Sequence, residues 1–215
     1  MRPKPPLRAF CVGAPMPVEL NVSADVRQLD RGLSDAARKQ IPFAVARALT
    51  ATADAARISI TRRLPQTFDR PNPFTMRAVS IQPARKTSLT ARVFVKDAQA
   101  KYLAIQETGG TQAPSKAAFV IPKAIGRNAY GNLPRGAIQR AKARKGVFVG
   151  KPVEGKQGGI WQHVKGGGLK LLAAFVKKTT YRPRFGFQVQ AESVARRVFP
   201  AAMREALANA MRTAK

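Results

Sequence analysis

The sequence predicts an α+β chain, and three observations predict it. Apolar residues recur every three to four positions from Ile41 to Ala56, and a second apolar stripe runs from Val194 to Met211, which marks two long amphipathic helices. Residues 78 to 83 and 89 to 96 read as two strands around a basic turn, Arg85-Lys86-Thr87-Ser88. A chain of 215 residues with 45% apolar side chains suffices for one packed domain and would be cramped as two.

Residues 1 to 17 carry five prolines and no periodicity, as an extended, flexible N-terminal arm does. Residues 18 to 215 then form the single domain. Val18, Leu20 and Val22 alternate with polar residues as a short strand would. Val26, Leu29 and Leu33 share one side of a short helix over Asp25 to Leu33, where Gly32 lets the chain loosen. Ser34 is placed to cap a second helix, and Asp35 in its first turn complements the dipole. Ile41, Val45, Leu49, Thr52 and Ala56 form the stripe of that helix, which ends near Leu64 and Pro65. Pro42 removes the bond to the Arg38 carbonyl, so a kink or a fresh helix start is expected there. Ala44, Ala46, Ala48, Ala51, Ala53 and Ala55 make a slim surface that admits a sheet or a neighbouring subunit at close range.

In the second strand of the hairpin, Ala91, Val93 and Val95 share one face, and Thr90, Arg92, Phe94 and Lys96 share the other. Asp97 can cap a short helix carrying Tyr102, Leu103 and Ile105, and Gly109-Gly110 stops it. From about 111 to 168 the chain is rich in Gly, Pro and basic residues, as an insertion into the domain would be. Phe119-Val120-Ile121 and Val147-Phe148-Val149 are short strand candidates within it, and Pro134 to Lys145 is a basic helical turn or a flexible loop. Residues 159 to 164 and 170 to 178 read as a hairpin across Lys165 to Gly168. A terminal helix runs from about Gln190 to Thr213, with Val194, Val198, Met203, Leu207 and Met211 on its buried stripe and Pro200 bending or restarting it.

Charge narrows the partners. Lys and Arg number 39 against 11 Asp and Glu, a net charge of +28 with a sequence pI near 11.7. Such a chain seeks phosphate or an acidic surface, and nucleic acid or an acidic assembly partner ranks well ahead of a membrane. The most apolar stretch, Leu169 to Val176, is broken by Lys170 and is too short to span a bilayer. The proline-interrupted start fails as a signal peptide, so synthesis in the cytoplasm is expected. A lone cysteine, Cys11, excludes an internal disulfide framework.

Enzyme templates fit poorly. His163 is the sole histidine, so a two-histidine metal site is ruled out, and Cys11 has no base near it in sequence. Asp25, Asp30, Asp35 and Asp54 spread over helical surfaces, and Asp97 and Glu107 sit at opposite ends of one helix. A metal-dependent nuclease needs carboxylates that converge on one ion. The glycines of 155 to 159 and 166 to 168 lack the spacing of a phosphate-binding loop and read as turns. The expectation is no catalytic residue, no metal and no cofactor.

Arg135, Arg140, Lys142, Arg144 and Lys145 place five cations within eleven residues. They form either a solvated face or a phosphate-contacting surface, and an acidic neighbour could use the same side chains. Without converging aromatics they would grip a backbone without reading bases.

Tyr102-Leu103-Ala104-Ile105-Gln106-Glu107-Thr108-Gly109-Gly110-Thr111, then Ala113-Pro114 and Phe119-Val120-Ile121-Pro122, is similar to a passage of phage tail-component proteins. Thr180-Tyr181-Arg182-Pro183-Arg184-Phe185 with the helix around Phe199-Pro200 resembles the end of the minor tail protein Z group of lambdoid phages and prophages. The long helix entered through Ile41-Pro42 fits the same group, and the likeness spans most of residues 20 to 215. The resemblance implies a long helix packed on a mixed or antiparallel β-sheet, and no catalysis. It also implies a ring of copies at the head-proximal end of a tail; portal, connector or tail-tube proteins are then the expected neighbours, and the basic run would meet either genomic DNA in the lumen or an acidic one of these proteins. On that reading the protein resides in the virion, the arm orders on docking, and Tyr102, Phe119, Tyr181, Phe185 and Phe199 face neighbouring subunits. A free-standing, sequence-independent nucleic-acid-binding protein is the alternative that charge alone allows.

Overall fold

A computed structural model describes residues 19–23, 35–115, 117–152 and 157–213. The arm, the short helix expected over 25 to 33, the Ser34 cap and Cys11 lie outside the described residues. Strand β1 (Glu19–Ser23) and helix α1 (Asp35–Thr67) come first, followed by the short α2 (Pro73–Met76), β2 (Val79–Gln82), β3 (Thr90–Val95) and α3 (Asp97–Thr108). The three strands form one antiparallel sheet in the order β1-β3-β2, so the sheet of this body is antiparallel rather than mixed.

The stripe expected on α1 is the centre of the main core. Ile41, Val45, Leu49 and Ala56 are buried, and Ile60 and Leu64 continue the row. Thr52 is buried with them because its hydroxyl donates to the Ala48 carbonyl at 2.8 Å, which satisfies the polar group inside the helix itself. Opposite it, Ala91, Val93 and Val95 are buried, whereas Thr90, Arg92 and Phe94 on the other face are half-buried. The alternation read in the sequence therefore sets the sheet's two faces. Pro42 starts no new helix: one element runs through it, with Ile41 and Val45 buried on either side, and their burial offsets the missing bond. Asp97 lies inside the first turn of α3 and not at its cap, which is Lys96 with no side-chain bond. There it complements the dipole without capping.

Helix α5 (Phe187–Thr213) begins three residues earlier than expected and also continues through its proline, Pro200. It lies antiparallel to α1. Gln190 near its start reaches Ser59 and Arg63, and Ala206 and Ala210 near its end meet Ala44 and Ala48. The slim surface of α1 is thus taken, at Ala44 and Ala48, by the chain's own terminal helix. Ala191, Val194, Ala206 and Ala210 are the buried residues of α5, and Val198, Met203 and Leu207 pack beside them. Met211 was expected on the stripe but is 56% exposed. The row turns inward at the small Ala210, about 100° around the helix from Met211, because alanine lets the two backbones approach.

The Gly/Pro-rich stretch expected as an insertion is folded where it is described. After β4 (Gly110–Gln112) come β5 (Phe119–Pro122), α4 (Ala137–Lys142), β6 (Val147–Gly150), β7 (Gly159–His163), β8 (Leu169–Val176) and β9 (Thr179–Tyr181). Four of these strands make a second antiparallel sheet, β5-β8-β7-β6, and β4 pairs with β9 in a ribbon. The expected β7–β8 hairpin is present, with a bulge between Ile160 and Trp161. A side chain at Gly159 would strike the Ala173 carbonyl, so this position has room for hydrogen alone. Ile125, Ala137, Ala141, Ile160, Leu172 and Ala173 form a second core, separate from that around α1. Of the two readings for 134 to 145, the helical turn is the one present, and Ala137 and Ala141 seat it on the sheet.

Replacing Ala48 by Leu forces a branched side chain between α1 and α5. We expect a loss of about 1–3 kcal/mol, measured by urea denaturation; unchanged stability would show that the two helices have space between them.

Candidate nucleic-acid interface

Helix α4 is two-faced by a four-residue interval. Ala137 and Ala141 point inward, and Arg140, Lys142, Arg144 and Lys145 on the remaining surface and in the following turn are exposed, as is Arg135 before it. All five cations expected at the interface therefore lie on one short stretch at the surface. Arg140 folds back: its Nη1 donates to the Arg135 carbonyl at 2.9 Å, closing the αL turn at Gly136 (φ 73°). No carboxylate among the described residues pairs with any of the five. The reason lies in the sequence: between Glu107 and Glu192 there are sixteen Lys and Arg and a single acid, Glu154. The potential over this sheet and helix is accordingly of one sign.

The aromatics near these cations do not form a base-reading platform. Trp161 is buried, and its indole N–H finds no acceptor among the described residues. Phe148 and the exposed His163 lie with ring centroids 5.3 Å apart, so this histidine is a surface strand residue next to a phenyl ring. The arrangement can neutralise phosphates or carboxylates but carries no groups placed to distinguish bases. Among the described residues no three His, Cys, Asp or Glu side chains come together to hold a metal ion, and no described helix is long and apolar enough to cross a membrane.

A second constellation joins passages far apart in the chain. Glu107, at the end of α3, accepts backbone bonds from Phe187 at 2.8 Å and Gln188 at 3.2 Å, so its carboxylate caps the N-terminus of α5. The neighbouring Gln106 accepts from the Arg184 and Phe185 amides at 2.8 and 2.9 Å through its carbonyl, and from Arg184 Nε at 2.9 Å through its side chain. Gly109 turns at φ 69° where an added Cβ would lie 2.7 Å from Pro183 Cδ. From there β4 pairs with β9, Gly110 opposite Tyr181. This junction was not legible in the sequence, because nothing local marks a carboxylate as the cap of a helix that starts eighty residues later.

The five aromatics expected at subunit contacts fall in different places. Tyr102 is 38% exposed, with its hydroxyl 3.0 Å from that of Thr75. Phe119 is half-buried on the edge strand β5, and Tyr181 is half-buried in the β4–β9 ribbon. Phe185 is 2% exposed, with ring centroids 5.9 Å from Phe68 and 5.8 Å from Phe187, and so has no surface to offer a neighbour in this fold. Phe199 packs against both the main core and the alanine contact of α1 and α5. A polar substitution at Phe199 would act on folding first.

Of the acids, Asp54 pairs with Arg57 at 2.8 Å, while Asp25 and Asp30 lie outside the described residues. Asp69 is fully exposed, and the hydrogen bond from Arg70, reinforced by its charge, holds the Asp69 carboxyl below its usual range. Arg70, at φ 45°, also reaches the Ala129 carbonyl at 3.5 Å, tying the loop before α2 to the loop before α4. The chain matches no known protein family, no curated protein and no solved structure.

Glu107→Ala removes the cap shared by two amides. We expect a loss of about 1–2 kcal/mol, read by thermal or urea unfolding. An unaltered midpoint would mean that water caps α5 equally well.

Proposed function

We propose that the chain is a structural, non-enzymatic subunit of a tailed bacteriophage particle. In this reading it completes the tail or joins it to the head, and assembles as a homo-oligomeric ring around the DNA path. The observation that carries the reading is the display of Arg135, Arg140, Lys142, Arg144 and Lys145 on a folded, acid-poor unit, unpaired with any described carboxylate. Repeated around a ring, these side chains would give the opening a strong positive potential. Contacts to phosphate alone are loose and salt-sensitive, which suits a polymer that must slide. The two passages that resemble phage tail components support the reading from another side. In this fold Glu107, Gln106 and the β4–β9 ribbon join parts of the two passages. Portal, connector or tail-tube proteins are the expected neighbours.

The same cations favour a second reading, a sequence-independent nucleic-acid-binding protein that works alone. Native mass spectrometry separates the two. A closed ring, and recovery of the chain from purified particles, support the first; a monomer that binds duplex and is absent from particles would overturn it. Under either reading Arg140→Glu with Lys142→Glu should weaken duplex binding. If both residues contact phosphate, the salt dependence of log K should become shallower by about 2. Binding that is unchanged across salt concentrations would show that α4 faces only solvent.

A further inference from the structure

Along their length α1 and α5 leave a groove of about 680 Å3 that no strand lines. Four apolar residues, Ala55, Ile58, Val194 and Val198, line it beside Ser59, Gln66 and Gln190. Three arginines, Arg62, Arg63 and Arg197, also line it, and no carboxylate does. One wall is fixed. Gln190 donates to the Ser59 hydroxyl at 2.8 Å and accepts from Arg63 Nη1 at 3.0 Å, bridging the two helices. Arg62 and Arg197 are exposed and pair with no described acid, and the nearest acid in sequence to Arg197, Glu192, is 3.6 Å from Arg196.

We propose that this groove docks an acidic amphipathic helix of a partner protein. Two helices side by side with apolar side chains in the groove between them offer a third helix a place to lay down an apolar stripe at i, i+3 and i+7. Glu or Asp on the flanks of that stripe would meet the guanidiniums, whose planar forks pair with carboxylates in bidentate fashion. Duplex DNA fits less well. Its phosphates could use the three arginines but would leave Ile58 and Val198 unburied, whereas a protein helix uses both chemistries together. The site is distinct from α4, so one chain could hold phosphate on its second sheet and a protein neighbour on its helical layer. The inference rests on the assembly reading only for where the partner resides.

The test uses the full chain and a synthetic helical peptide with leucines along one stripe flanked by glutamates. Its control is a peptide of equal charge with glutamine in place of leucine. At physiological salt the leucine peptide should bind at least about tenfold more tightly than the control. Arg62→Glu with Arg197→Glu should remove that preference, and the milder Arg62→Gln with Arg197→Gln should reduce it in protein whose unfolding midpoint is unchanged. Arg140→Glu with Lys142→Glu should leave it intact. Equal binding of the two peptides would overturn the proposal, as would a preference that survives at the altered arginines. A loss of duplex binding at the groove variant as large as at the α4 variant would also overturn it, by making the groove a phosphate surface. Absence of a ring or of particle incorporation would defeat the assembly reading while leaving the peptide result standing.

Discussion

The close antiparallel contact of α1 with α5 is the constraint on which the rest of the main body depends. Each helix has to serve two neighbours at once, the three-stranded sheet below and the other helix beside it. Large side chains on both sides would hold the helices apart and lift one of them from the sheet. The chain resolves this by dividing the work around α1. Val45, Leu49, Ile60 and Leu64 fill the space toward the sheet, and Ala44 and Ala48 face Ala206 and Ala210, where bulk is absent. Dispersion contacts between near-touching backbones then replace the larger burial that leucines would have given. With α5 so placed, its N-terminus points at the end of α3, and Glu107 is in position to cap it.

Charge is distributed to suit this packing. The main body contains the ion pairs Arg92–Glu19, Arg57–Asp54, Arg70–Asp69 and Arg196–Glu192, so part of its positive charge is neutralised locally. The second sheet has one acid in its stretch of chain, and most of its described cations stand on turns, on loops and on the outward side of α4. Its core is small and built largely from alanine and short aliphatic residues, so the charged stems surround a modest apolar centre. A unit of this composition is suited to neutralisation by an external polyanion, which would remove repulsion among its own side chains as well as form contacts.

The strand faces, the stripe on α1 and the turn between β7 and β8 were legible because their signals are local. The period of two across Ala91, Val93 and Val95 and the period near 3.6 across Ile41, Val45 and Leu49 determine which side must be buried, whatever buries it. The five cations of the α4 region were equally visible, since a run of unpaired charge in an acid-poor stretch has to remain at the surface. Phe185 misled for a related reason: an aromatic next to arginine in sequence carries no mark of whether its own chain or a neighbour covers it. Phe185 is covered from within, whereas Phe199 packs on the core and keeps part of its surface. The groove between α1 and α5 gave no signal either, because Arg62 and Arg197 are 135 positions apart and belong to one feature only once the helices are paired.

By itself the sequence determined the type of most elements, the faces they bury and the sign of the surface, because propensity, periodicity and charge are properties of neighbouring residues. The tertiary structure alone decided that the Gly/Pro-rich stretch builds a second sheet with its own core, that α5 and not another subunit occupies Ala44 and Ala48, and that Glu107 caps α5. Each of these depends on which distant segment arrives at a surface. Side-chain pattern states that a surface must be covered and leaves the choice of cover to the chain entropy and packing of the whole fold.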